Sequence, residues 1–179
     1  MKGIIFNLLE DAVVGEFGLA AWDDLLAVVG SDGVYTSLGN YPDSQVQDFV
    51  LAAAAKLGKS PAEILKWFGN AAMPLLFERY PQFFVGHTST RAFILSVNNI
   101  IHPEVLKVYP GAIAPTFEFR EAEDGGLLMG YRSPRRLCAL AQGFTEGAAR
   151  HFGQSVVFTH LQCMNKGDES CLCHIAFGS

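Results

Sequence analysis

The sequence predicts a single α+β domain with helices first and antiparallel strands afterwards. As far as residue 101, most apolar residues recur at spacings of three and four, which indicates amphipathic helices. After Pro110 the pattern becomes strand-like, with one further helix between the strands. A chain of 179 residues is within the size range of one domain and is long enough to bury a sizeable core.

The first part is predicted to contain six helical segments. They cover residues 4–14, 18–29, 46–57, about 60–68, 73–79 and 89–101. Gly58 ends the third segment and Pro81 the fifth, because neither residue type continues a helix readily. Ser60, Pro61 and Glu63 form a capping pattern in which Ser60 and Glu63 satisfy each other's backbone N–H groups.

The second part is predicted to form two β-hairpins with a helix between them. Residues 115–121 and 127–132 form the first hairpin, joined by an acidic and glycine-rich turn. Residues 155–162 and 171–177 form the second, joined by a polar loop at 165–170. Ser133 and Pro134 occupy cap and first-turn positions, which predicts a helix from there to just before Gly153.

Composition limits the classes of partner. Half of the residues are apolar, 17% are charged and 14 are Phe, which indicates a large apolar interior or a ligand cavity. The net charge of −5 leaves no positive surplus for nucleic acid or for an anionic membrane surface. With neither a signal peptide nor a run of 18 apolar residues, the chain is expected to stay in the cytoplasm. In that reducing compartment, its four cysteines are expected to be free, reactive or metal-bound.

His102 is a candidate iron ligand. Imidazole is a suitable axial ligand for haem iron, and the neighbouring Ile100, Ile101, Val105 and Leu106 would supply the apolar wall that a porphyrin face requires. The alternative is a solvent-facing histidine at a helix junction.

A second motif is Tyr131-x-Ser133-x-Arg135. The planar Arg135 guanidinium matches a carboxylate, and the hydroxyls of Tyr131 and Ser133 add donors near a predicted helix N-terminus. Two haem propionates would suit such a site. Alternatively, Ser133 only caps the helix, Tyr131 is a half-buried strand residue and Arg135 is solvated.

Together these motifs resemble the haem-nitric oxide/oxygen binding (H-NOX) family, which is related to the sensor region of soluble guanylate cyclase. The resemblance spans the chain and rests on Met1-Lys2-Gly3-Ile4, His102-Pro103-Glu104-Val105, Tyr109-Pro110, Pro115 and Tyr131-x-Ser133-x-Arg135. It implies an H-NOX fold with haem b buried between the helical part and the sheet. By the same resemblance, His102 ligates the iron, Tyr131, Ser133 and Arg135 hold the propionates, and Pro115 presses on the haem. We expect a helical subdomain of about residues 1–60 and a haem-anchoring and sheet subdomain of about residues 61–179.

The resemblance also indicates which gases the haem would bind. Family members that hold oxygen stably have a tyrosine five residues after the motif arginine, where this chain has Leu140. Other candidates for the distal wall are also apolar, namely Ile5, Leu9, Leu76 and Phe144. Bound oxygen would find no donor there, whereas nitric oxide needs none. We therefore expect binding of nitric oxide and carbon monoxide without a stable oxygen complex, although each of these residues is also typical of an ordinary core.

A second metal site is predicted near the C-terminus. His160, Cys163, Cys171 and Cys173 provide one imidazole and three thiols, a ligand set suited to tetrahedral zinc. Some bacterial H-NOX domains are similar in carrying such a site. The alternatives are three buried free cysteines or a disulfide between Cys163 and Cys171. His174 is expected on the opposite strand face, and Cys138 is expected to be a core residue.

The expected function is a haem-based nitric oxide sensor without enzymatic activity. By family resemblance, the bond to His102 weakens or breaks, the fold relaxes around Pro115, and the signal passes to a separate histidine kinase or diguanylate cyclase. One alternative is a haem enzyme such as a peroxidase, but His87, His151, His160 and His174 have no evident place in the pocket. Another is a thiol redox sensor in which oxidation of the cysteine cluster expels zinc.

Overall fold

The computed structural model describes residues 1–178 and confirms the α+β prediction, with helices first and an antiparallel sheet afterwards. Its helices are α1 (Gly3–Phe17), α2 (Leu19–Val29), α3 (Asp43–Leu57), α4 (Pro61–Arg79), α5 (Thr90–Ser96), α6 (His102–Val108) and α7 (Cys138–His151). The predicted segment 89–101 is divided, because α5 passes into a π-helical segment, Val97–Ile101, immediately before α6. His102 is therefore the first residue of a separate short helix. Within residues 1–178, no helix has the length and apolar character needed to cross a membrane.

The sheet contains four antiparallel strands in the order β1-β2-β4-β3. They are β1 (Thr116–Glu121), β2 (Leu127–Arg132), β3 (Ser155–Gln162) and β4 (Cys171–Gly178). Both predicted hairpins are present, and β2 pairs with β4 to join them. Because alternate residues of a strand share a face, Leu127, Met129 and Tyr131 of β2 are buried together on one side of the sheet.

Helix α4 is continuous, so the prediction of two separate segments, 60–68 and 73–79, was wrong. The predicted capping box is present, with Glu63 N donating to Ser60 Oγ at 3.3 Å and Ser60 N donating to Glu63 Oε2 at 2.8 Å. Pro74 lies inside the helix without ending it. Tertiary packing explains this, because α4 lies close along α7, where a Cβ atom at Gly69 would be only 2.5 Å from the Leu140 carbonyl oxygen.

Helix α7 begins at Cys138, five residues later than the predicted start at Ser133. The intervening segment is a turn, in which the backbone N–H of Arg135 donates to Ser133 Oγ at 3.3 Å. Arg136 has a φ of +53°, a left-handed conformation that interrupts a helix. The motif residues Ser133 and Arg135 are thus held by a turn after β2 and not by a helix N-terminus.

Buried side chains form two clusters. One lies among α1 to α4 and is built around Phe6, Trp22, Phe49 and Phe68. The other lies between the sheet and α4, α5 and α7, and it includes the buried cysteines. Residues such as Leu76 and Phe144 pack against both clusters, and they line a cavity at the junction.

Candidate functional site

A cavity of about 410 Å³ lies between the helices and the sheet, and its walls are mostly apolar. That volume is within the usual range of small-molecule and cofactor sites. The structure places nine of the residues singled out in the sequence along its walls: Ile5, Leu76, His102, Pro115, Tyr131, Ser133, Arg135, Leu140 and Phe144. Residues distant in sequence therefore meet around one cavity.

Leu9 does not line this cavity, so its assignment to the distal wall was wrong. It is buried in the cluster among α1 to α4. An α-helix turns about 100° per residue, and the cavity-lining stripe of α1 consists of Ile4, Ile5 and Leu8. Leu9 lies beyond one edge of that stripe.

His102 faces the cavity from the start of α6. Its ring stacks near Phe117 of β1, with 5.7 Å between the ring centroids. Burial lowers the pKa of His102, which favours the neutral imidazole that a metal ion requires. In the part of the chain that the structure describes, it is the only histidine in the cavity wall.

Arg135 brings a positive charge to the cavity. Its Nη1 donates to the Ile113 carbonyl oxygen at 2.6 Å. Its Nε lies 2.8 Å from Asp43 Oδ1, yet it is buried and lacks hydrogen-bond geometry to any partner among the described residues. A carboxylate entering the cavity would satisfy such a guanidinium.

Asp43, the first residue of α3, was missed in the sequence. Partial burial raises the pKa of Asp43, but the hydrogen bond from the Met1 ammonium and the positive charge of the adjacent Arg135 outweigh it and hold the pKa below its ordinary value. Asp43 is therefore ionised and steadies Arg135 from the helical side. No local pattern marks this pair, because its members are far apart in sequence.

The two motif hydroxyls retain their hydrogen-bond donors. Tyr131 Oη accepts from the Leu137 N–H at 3.1 Å, and burial raises the pKa of Tyr131, so that its proton stays in place. Ser133 Oγ accepts from the Arg135 N–H and keeps its own proton to donate. With Arg135, these groups fit a pair of propionates, and His102 fits an iron ligand. The cavity as a whole therefore fits haem.

Three hydroxyl groups elsewhere in the cavity wall are already hydrogen-bonded to protein groups. Thr145 Oγ1 donates to the Ala141 carbonyl oxygen of its own helix at 2.9 Å. The hydroxyls of Tyr80 and Tyr109 share a hydrogen bond with each other. The wall formed by Ile5, Leu76, Leu140 and Phe144 is apolar. It offers no side-chain donor to a bound gas molecule.

A second candidate site is a group of buried cysteines beneath the β3–β4 hairpin. The sulfur atoms of Cys138, Cys163 and Cys171 lie within 4.8 Å of one another, and those of Cys138 and Cys163 are 3.6 Å apart. Cys138 is buried, as expected of a core residue, but it is not isolated, because its sulfur belongs to this group. As the first residue of α7, it reaches the hairpin through tertiary packing that no sequence spacing reveals.

The other two predicted ligands, Cys173 and His160, are not part of this close group of sulfur atoms. They are directly opposite each other in the β3–β4 register and thus share a sheet face, two residues along β4 from Cys171. His160 Nε2 is buried without a hydrogen-bond partner among the described residues. Burial lowers the pKa of His160 and raises the pKa of Cys173 to about 12. An orphaned imidazole nitrogen beside gathered thiols fits a zinc site, where the ion would offset the cost of ionising the thiols.

His174 is on the opposite face, as expected. Its Nε2 lies 3.1 Å from Asp124 Oδ1, near the turn of the first hairpin. It takes no part in the cysteine group.

The family described as Haem-NO-binding matches residues 2–160. Among solved structures, the chain is similar to an H-NOX protein from S. oneidensis in the Fe(II)NO ligation state, with 32% identity, a TM-score of 0.93 and full coverage of both chains. It is also similar to the Fe(II) unliganded H-NOX protein from K. algicida, with 28% identity and a TM-score of 0.87, covering 100% of this chain and 97% of that one.

A curated relative, soluble guanylate cyclase 89Db from Drosophila melanogaster, is 25% identical over 177 residues. The match covers 92% of this chain and 25% of the relative. The chain thus spans about a quarter of that protein's length.

Proposed function

Because the chain belongs to the Haem-NO-binding (H-NOX) family, we propose that it is a cytoplasmic nitric oxide sensor that binds haem b in its central cavity. The observation that carries this proposal is the cavity itself, whose wall combines a neutral His102 with the hydroxyl donors of Tyr131 and Ser133 and the positive charge of Arg135. The S. oneidensis neighbours are described in Fe(II)NO and Fe(II)CO ligation states. A sensing role agrees with the description of the family as Haem-NO-binding.

When bound, haem supplies an iron atom that takes up a diatomic gas. The chain's own residues would hold the haem, orient it and exclude water. His102 would hold the iron from α6, while Arg135, supported by Asp43, would orient the propionates together with Tyr131 and Ser133. Pro115 lies in the wall just before β1 and is proposed to press on the haem. The apolar residues around Leu140 exclude water and provide no donor.

Transmission of the signal to a partner protein is proposed to begin at His102. Loss of its hold on the iron would release α6 and let the fold relax around Pro115, within the proposed subdomain of about residues 61–179 and against the proposed helical subdomain of about residues 1–60. A separate histidine kinase or diguanylate cyclase would receive the signal. Purified protein carrying haem, mixed with each candidate partner with and without nitric oxide, tests this step through the partner's catalytic rate.

Haem retention is expected to depend more on Arg135 than on Ser133. Arg135→Ala removes a charge-assisted contact, whereas Ser133→Ala removes a single neutral hydroxyl. Charge-assisted hydrogen bonds are about twice as strong as neutral ones. The rate at which the protein loses haem to apomyoglobin should therefore rise more in Arg135→Ala than in Ser133→Ala. Equal rates in both variants and the wild type would show that the motif has only a structural role.

The absence of a stable oxygen complex is expected to depend on Leu140. Leu140→Tyr places a hydroxyl on the distal wall and should give the reduced protein measurable oxygen affinity, because a buried donor stabilises the polarised bound gas. Leu140→Phe is the matched control, since it adds the ring without the hydroxyl. Oxygen titration of the reduced proteins provides the measurement, and stable oxygen binding by the wild type would contradict the account of the distal wall.

The cysteine group supports a second candidate function, a zinc-dependent thiol redox sensor. The proposed ligands are His160, Cys163, Cys171 and Cys173, with Cys138 as a further thiol in contact with Cys163. Oxidation of two thiols to a disulfide by peroxide would remove two ligands and release the metal. Haem sensing and thiol sensing use separate sites and can coexist.

A further inference from the structure

Two tyrosines in the cavity wall form a direct link between helices. Tyr80 is the residue that follows α4, and Tyr109 is the residue that follows α6. Both line the cavity, and their hydroxyls share a hydrogen bond. Tyr109 is only 6% exposed, so its hydroxyl is shielded from water, whereas Tyr80 is half-buried. The hydrogen bond ties the helix that carries Leu76 to the helix that carries His102.

Helix α6 has few other attachments. None of its residues is fully buried, and Leu106 and Val108 are 44% and 50% exposed. Its other side-chain hydrogen bond joins Lys107 to Glu104 within the same helix. A π-helical segment precedes it, and such segments depart from regular α-helical geometry. The position of α6 therefore depends strongly on its two ends, His102 at the start and Tyr109 just past the last turn.

We propose that the hydrogen bond between Tyr80 and Tyr109 is a latch that positions α6 and so determines how firmly His102 is held at the iron. This inference rests on the proposed function, since it requires His102 to bind haem. The tyrosines are positioning residues and touch the gas at no step. With the latch closed, the end of α6 stays linked to the end of α4 and His102 stays directed into the cavity. With the latch open, α6 moves more freely and His102 leaves the iron more readily.

Tyr80→Phe and Tyr109→Phe each remove the bond while keeping the ring. Loss of one neutral buried hydrogen bond changes an equilibrium constant by about five-fold. In the reduced, haem-loaded protein mixed with nitric oxide, the ratio of detached to attached His102 should therefore rise about five-fold. Electron paramagnetic resonance separates the two forms. Tyr80→Phe should have the larger effect, because it leaves the buried Tyr109 hydroxyl unsatisfied, whereas Tyr80 is half-buried and can regain water.

Tyr35→Phe is the matched control. Its hydroxyl bonds to Ser31 in the helical part and does not line the cavity, so the ratio should stay at the wild-type value. The double variant of Tyr80 and Tyr109 should not exceed the larger single effect, since both changes break the same bond. If the wild type exists wholly in one form, the iron–histidine vibration of the reduced protein supplies the readout and should weaken in both single variants.

The possible failures are distinguishable. Wild-type protein that takes up no haem, or His102→Ala protein with an unchanged haem spectrum, would overturn the proposed function and the latch with it. The latch alone would be overturned if haem binds normally and requires His102, but Tyr80→Phe and Tyr109→Phe give the same ratio of detached to attached His102 as Tyr35→Phe. Additive effects in the double variant would show that the two hydroxyls act separately and would likewise contradict it.

Discussion

His102→Ala is expected to purify with little or no haem. Loss of an outer-shell partner alone lowers metal affinity by about 10- to 100-fold, and loss of the ligand itself should cost at least as much. No other histidine in the described part of the chain lines the cavity and so none can replace it. Free imidazole should restore binding, because it fits the space left by the side chain. The ratio of haem absorbance to protein absorbance measures the occupancy.

His151→Ala is the control for this experiment. That histidine is exposed at the end of α7 and lies outside the cavity, so haem occupancy should not change. Full occupancy and an unaltered reduced spectrum in His102→Ala would refute the ligand assignment.

Cys171→Ala is expected to lose the bound metal. We expect about one zinc per wild-type chain and a sharp fall in this variant, because Cys171 is fully buried within the thiol group. Structural zinc contributes about 10 kcal/mol or more to folding in small isolated sites, so the β3–β4 hairpin should loosen. Cys171 is opposite Tyr131 in the sheet, and haem retention should therefore fall slightly, by less than in Arg135→Ala. Elemental analysis and hydrogen exchange of residues 155–178 provide the measurements.

Cys138→Ala separates the two possible ligand sets. If His160 and Cys173 complete the site, Cys138→Ala should retain zinc while His160→Ala and Cys173→Ala lose it. If Cys138 is a ligand instead, its removal should release the metal. A wild-type protein that is metal-free under reducing conditions yet well ordered through Phe177 would contradict the zinc site.

Local sequence signals were sufficient for much of the fold. The bounds of β2 and β3 agree with the prediction, because alternation and turn residues define both ends of each strand. The errors occurred where tertiary packing outweighs local preference. Helix α4 continues past Pro74 because it packs along α7, and α7 starts late because Arg136 adopts a left-handed conformation.

Some residues of the candidate site could likewise be predicted from the sequence, and others could not. His102 and the three residues of Tyr131-x-Ser133-x-Arg135 line the cavity, and two short local patterns in the sequence had singled them out. The partners that support them were not predictable, since Asp43 and Cys138 reach the sites from other elements. The bond between Tyr80 and Tyr109 likewise joins the ends of two helices without a recognisable spacing.

The central claim is that this cavity binds haem and that the haem binds nitric oxide through an iron held by His102. The most direct test is the absorption spectrum of the reduced protein with and without nitric oxide, recorded alongside oxygen-exposed protein. We expect a five-coordinate haem spectrum that shifts on addition of nitric oxide or carbon monoxide and gives no stable oxygen complex. A protein without haem absorbance after reconstitution, or one whose spectrum is unchanged by nitric oxide, would contradict the account.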